Sequence, residues 1–138
     1  MLLNFIFDYR KAINILMREG KKLKAQYIFH RALMEVKLRA LGELKFNPNA
    51  DVELDPYRIF DIAIENARPC MDLAKVGKRG LIYKVPSTIS PKRSRFMAIR
   101  WMIESAYPTD SENTLFEIRL AKEIYNSFHL RVINFFLI

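Results

Sequence analysis

Apolar residues recur at spacings of three and four along most of the chain, a pattern that predicts helices separated by short polar breaks. Within residues 8–18, Ala12, Ile13, Ile15, Leu16 and Met17 predict a short helix with a broad apolar face, ended by Gly20. A longer helix is expected from Lys22, with Ala25, Ile28, Phe29, Ala32, Leu33, Val36 and Ala40 on one stripe and Gly42 as its C-cap. Residues 43–55, with Asn47-Pro48-Asn49, read as a loop. Asp55-Pro56 then predicts a sharp helix start, because Asp accepts from free backbone donors and Pro suits the first turn. Tyr57, Phe60, Ala63, Ile64 and Ala67 supply its buried face, and Arg68-Pro69 breaks it.

The period then changes. Residues 70–76 and 81–85 are short extended runs, and Leu81, Tyr83 and Val85 alternate with Ile82 and Lys84. Gly77-Lys-Arg-Gly80 between them offers two glycines for the positive φ angles of a hairpin end, and Pro86 is expected to close the ribbon. Ser90-Pro91 repeats the cap-plus-proline start and opens a helix to Ala106, with Phe96, Ile99 and Ile103 facing inward. After Tyr107-Pro108, Ser111 can cap a last helix faced by Leu115, Ile118, Ala121, Ile124, Tyr125 and Phe128. The fold class is therefore mainly α: about five helices in a bundle, with one protruding β-hairpin between helices 3 and 4. Residues 1–138 show no internal boundary and read as a single domain.

Charge changes this picture most. Residues 73–103 hold Lys75, Lys78, Arg79, Lys84, Lys92, Arg93, Arg95 and Arg100 and no Asp or Glu. These eight positive charges equal the formal net charge of +8, so the rest of the chain is neutral. An excess concentrated in one segment points to a surface for polyanions. Lys92, Arg93 and Arg95 stand in the first turn of a helix, where cations oppose the macrodipole at roughly 0.3–1 kcal/mol each when exposed. An external anion is expected to complete that site. Trp101 has two readings, a core anchor or a stacking platform for a base.

Other chemistry is sparse. One cysteine, Cys70, permits no internal disulfide, and with His30 and His129 alone beside it no zinc set can be assembled. No nucleophile–base pair, glycine-rich phosphate loop or metal set stands out, so neither an enzyme nor a cofactor is expected. The apolar ends, residues 1–7 and 132–138, are too short to span a bilayer, which takes about 20 residues. Both are expected to dock on protein.

Several words in the chain resemble one family. Gly20-Lys-Lys22, Glu65-Asn-Ala-Arg-Pro69, Tyr83-Lys-Val-Pro86, Pro91 through Arg100-Trp101-Met-Ile-Glu104, and Glu117-Ile-Arg-Leu-Ala-Lys-Glu123 follow, in order and spacing, the pattern of small-subunit ribosomal protein seven. The likeness covers about residues 7–127. It implies a helical bundle with a protruding hairpin that binds the 3′ major (head) domain of small-subunit rRNA, nucleates head assembly and lies near the mRNA exit and E-site tRNA. On that resemblance the rRNA-binding residues are Lys21, Lys22, Lys75, Lys78, Arg79, Lys84, Lys92, Arg93, Arg95 and Arg100. Arg68, Trp101 and Arg119 are rRNA-binding or structural. The implied partners are rRNA and neighbouring small-subunit proteins, without a membrane span or an obligate homo-oligomer.

Three departures from the bacterial pattern are expected to matter: no basic arm before the first helix, Arg79 in place of a second tip glycine, and a short apolar tail at residues 129–138 instead of a basic sixth helix. With many Phe, Ile, Tyr, Asn, Lys and Met and only 4 Gly, they point to a mitochondrial ribosome in the matrix and leave organelle encoding open. A bacterial cytoplasm or a plastid is the alternative. The competing functional class is an architectural DNA-binding protein gripping a minor groove with its basic ribbon.

Overall fold

A computed structural model of the chain describes residues 2–108 and 113–129. Its elements are α1 (Leu2–Leu16), α2 (Lys22–Phe46), α3 (Pro56–Ala67), β1 (Met71–Lys78), β2 (Leu81–Thr88), α4 (Pro91–Ser105) and α5 (Phe116–Phe128). Five helices with an antiparallel hairpin between the third and fourth are what the periodicity predicts. All five helices contribute to one apolar core, with Ile13, Phe29, Phe60, Ile99 and Ile124 among its members. The rings of Phe29 and Phe60 meet edge to face with centroids 5.3 Å apart, and Tyr9 packs on Phe29 at 5.4 Å. No helix among the described residues is long and apolar enough to cross a membrane.

Where local chemistry acts alone, the expected boundaries hold. Asp55 Oδ1 accepts from the Tyr57 amide at 3.1 Å, and Ser90 Oγ accepts from the Arg93 amide at 3.4 Å. Arg68, ahead of Pro69, turns extended (φ −62°, ψ 130°) and closes α3.

Elsewhere packing moves the boundaries. Helix α1 begins well before Asp8, so the apolar start of the chain forms its first turns. Gly42 is not a C-cap: α2 runs through it to Phe46, and the amide of Asn47 returns to the Glu43 carbonyl. Tertiary contact explains this, because α5 lies along the last turns of α2 and the Tyr125 hydroxyl donates to the Glu43 carboxylate. Pro86 does not close the ribbon; β2 continues to Thr88 with Pro86 opposite Leu73. A two-stranded sheet has only edge strands, where a missing amide costs no ladder bond.

On α4 the buried face is Ser94, Ala98, Ile99, Met102 and Ile103, and Phe96 is only half-buried beneath the Lys11 ammonium. Helix α5 buries Leu120, Ala121, Ile124 and Ser127, with Leu115 exposed at its N-cap. Ser111 is therefore not the cap of α5, and it lies outside the described residues, as does the apolar stretch 132–138.

Candidate nucleic-acid interface

The hairpin register puts Lys75 directly opposite Lys84. Directly opposed residues share one face of the ribbon, so two ammonium groups are held side by side where like charges destabilise the pair. Leu73–Pro86 and Gly77–Ile82 flank them on that face. Ala74–Val85, Val76–Tyr83 and Lys78–Leu81 occupy the other. Leu73, Val76, Leu81, Ile82, Tyr83 and Val85 are all exposed, so the ribbon stands away from the helices rather than lying on them.

The turn is tighter than the sequence suggests. Only Arg79 and Gly80 lie between the paired Lys78 and Leu81, with φ values of +54° and +75°. Both signs match a type I′ turn, the two-residue connection whose twist suits a hairpin. Gly77 sits in the ladder opposite Ile82 and is not a turn residue. Arg79 thus occupies left-handed backbone space that favours Gly or Asn, and its guanidinium is carried at the tip.

At the base, two bonds join the ribbon to α4. The buried Ser94 hydroxyl donates to the Pro69 carbonyl at 3.0 Å, and Arg93 Nε donates to Asp72 Oδ2 at 2.7 Å. The Arg93 bond and the Leu73 amide hold the Asp72 carboxyl below its usual carboxylate range. Arg100 is bonded to Glu104 at 2.7 Å, one turn on. The acid-free segment is thus bracketed by Asp72 and Glu104, and each folds back on one of its arginines.

Arg95 is placed differently from its neighbours. Its side chain is 16% exposed, with Nε 3.1 Å from Asp8 Oδ2, one terminal nitrogen 2.7 Å from Asp61 Oδ1 and the other on Glu65. Burial works to lower its pKa, but the hydrogen bonds to Asp8 and Asp61 and the charges of Asp8 and Glu65 outweigh that and hold it above the usual arginine value. Expecting an external anion at the start of α4 overlooked these carboxylates: the chain itself supplies partners for Arg93 and Arg95, and Lys92 alone of the three has no ion pair among the described residues.

The remaining candidates fall on three further elements. Lys21 is paired with Glu19 at 2.9 Å, and Lys22 opens α2; no bond among the described residues links this junction to the hairpin. Arg68 is bonded to Glu65 at 3.1 Å, while Trp101 and Arg119 are half-buried. The segment Glu65-Asn-Ala-Arg-Pro69 is a junction. Glu65 meets Arg95, Asn66 Nδ2 donates to the carbonyls of Ser127 and Phe128 at 3.0 and 3.1 Å, Ala67 is buried, and Pro69 receives Ser94. Sequence reasoning missed Asp8, Asp61, Asn66 and Ser94 as positioning residues. The four-residue phase Ser94, Ala98, Met102 was the available signal for Ser94.

A family model described as "Ribosomal protein S7p/S5e" matches residues 9–131. "Small ribosomal subunit protein uS7m" of Danio rerio is 34% identical over 121 residues, covering 86% of this chain and 53% of the relative. Its counterpart in Mus musculus is 32% identical over 124 residues, covering 88% and 51%. "Small ribosomal subunit protein uS7" of Onion yellows phytoplasma is 35% identical over 117 residues, covering 85% and 66%. The chain spans about half the length of the two vertebrate relatives.

Proposed function

The chain belongs to the ribosomal protein S7p/S5e family, and from that premise we propose that it is a structural, non-catalytic component of the small ribosomal subunit that binds the head domain of small-subunit rRNA. Its partners are that rRNA and neighbouring subunit proteins, and its setting is a mitochondrial ribosome. The matches to uS7m of two vertebrates support that setting, and the phytoplasma match keeps the bacterial alternative in view.

One observation carries the RNA-binding reading. Lys75 and Lys84 are fixed opposite one another on a ribbon tipped by Lys78 and Arg79, and none of the four is ion-paired among the described residues. Like charges held this way lower stability in the free protein and are relieved by a bound phosphate. Lys22 and Lys92, without an ion pair among the described residues, add charge elsewhere. Arg93 and Arg100, exposed but paired, can exchange a carboxylate for a phosphate, whereas Arg95 serves to orient α4. The hairpin tip is the part assigned to the mRNA exit and E-site tRNA side, and the α4 side to the rRNA that nucleates the head.

The test is binding of the chain to a transcript of the rRNA head domain, against an equal length of unrelated duplex DNA. Tight, salt-sensitive binding to the head transcript, with incorporation into small subunits, is the expected result. Preference for DNA by a dimeric form would favour the architectural reading instead.

A further inference from the structure

Helix α2 has two apolar faces. One, formed by Ala25, Phe29, Ala32, Leu33, Val36 and Ala40, is buried in the core. The other is Leu23, Tyr27, Met34, Leu38 and Leu41, at successive spacings of four, seven, four and three residues. At about 100° per residue these five fall within an arc of roughly 60°. All are exposed, from 37% to 83% of the side chain's reach. Single exposed leucines need no explanation, but a stripe along one helix marks an interaction surface. Among the described residues, helices α1, α3 and α5 pack on α2 and leave this side uncovered.

The borders of the stripe identify what fits it. Lys24 and Arg31 are exposed on one border and Lys37 on the other, Lys45 is exposed beyond the end of the stripe, and none has a carboxylate partner among the described residues. The Arg31 guanidinium lies 5.7 Å from the centre of the Tyr27 ring, against the stripe itself. RNA would use the cations but leave Leu and Met against phosphate. A second copy would set one basic border against another. An amphipathic helix with an apolar ridge and acidic borders satisfies both features at once.

We propose that the outer face of α2 is a docking surface for an amphipathic helix of a neighbouring small-subunit protein, one whose apolar ridge is bordered by Asp and Glu. That the neighbour is a subunit protein rests on the function proposed above; the docking chemistry does not.

Two measurements test this. The first uses the full chain and a pair of synthetic amphipathic helices of about twenty residues, long enough to hold a helix, with leucine ridges bordered by Glu in one and by Lys in the other. The Glu-bordered peptide should bind at least about tenfold more tightly. M34E/L38E should lose at least about tenfold in that affinity, R31E/K37E should reverse the preference, and both should keep wild-type helicity because these side chains are exposed. Equal binding of the two peptides, no binding, or indifference to the substitutions would overturn the proposal. The second places a photo-crosslinker at Met34 in assembled small subunits. A crosslink to an acid-bordered helix of another subunit protein supports it; a crosslink to rRNA or a second copy, or none, overturns it. If the chain does not enter subunits, the proposed function fails, and the peptide measurement still decides the docking chemistry.

Discussion

Arg95 on α4 and Asp8 on α1 stand eighty-seven residues apart in the chain, yet Arg95 Nε lies 3.1 Å from an oxygen of a carboxylate that is 2% exposed. Asp61 and Glu65 of α3 share the same guanidinium. Three helices are thus tied by one side chain inside the basic segment.

Removing that tie should destabilise the fold more than the interface. Breaking a buried ion pair costs about 3–5 kcal/mol, but Asp61 and Glu65 remain partly solvated, so Arg95→Leu is expected to cost about 2–4 kcal/mol in urea unfolding. Asp8→Asn should do much the same. Affinity of the still-folded Arg95→Leu variant for the rRNA head transcript should change only a few-fold. A large loss of affinity with unaltered stability would instead put Arg95 at the RNA.

For the opposed lysines the signs should run the other way. Lys75→Glu replaces a repulsive cross-strand pair with an attractive one, which should stabilise the hairpin by about 0.2–1 kcal/mol. The same change should weaken rRNA binding. Thermal unfolding and filter binding on one preparation read both effects, and a variant that loses stability would refute the account of the ribbon.

Salt should act steeply. If the unpaired cations and the exchangeable arginines meet roughly six to ten phosphates, affinity should fall by about 10³ or more between 50 and 200 mM salt. Neutralising the tip with K78Q/R79G should reduce the logarithmic salt slope by about one to two while leaving most affinity to the head transcript. Its defect should appear later, in subunits, at the far end of the hairpin. A tip variant that loses rRNA affinity as severely as R93E would contradict this division.

High pH should loosen the α2–α5 contact. Burial, then the hydrogen bond to Glu43 and its negative charge, push the Tyr125 hydroxyl up to about 12 from 10.0. The folded state keeps a proton that the unfolded chain releases near pH 10, so this stabilisation is complete below pH 10 and is lost as pH rises toward 12. Urea stability measured from pH 8 to 12 should decline more steeply for the wild type than for Tyr125→Phe. Parallel curves would remove Tyr125 as the cause.

The sequence by itself determined what adjacent residues can settle between them. Asp55-Pro56 and Ser90-Pro91 start helices through bonds that span two or three residues, Arg68-Pro69 ends one sterically, and the acid-free run of cations is a matter of composition. The resemblance to a ribosomal family rested on words of this kind and agrees with the family match. Tertiary structure decided the rest. Gly42 stays helical in a turn where the neighbouring Glu43 is held by Tyr125 of α5, and Pro86 stays in the ladder because a two-stranded ribbon has only edge strands. Arg93, Arg95 and Arg100 look equivalent in one dimension, but one meets the hairpin base, one a buried carboxylate far away in sequence, and one its own helix. Periodicity likewise reports that α2 has apolar positions at two phases without saying which phase the bundle will cover. Charge and apolarity belong to residues; whether they are spent inside the fold or left for a partner depends on distances that only the folded chain sets.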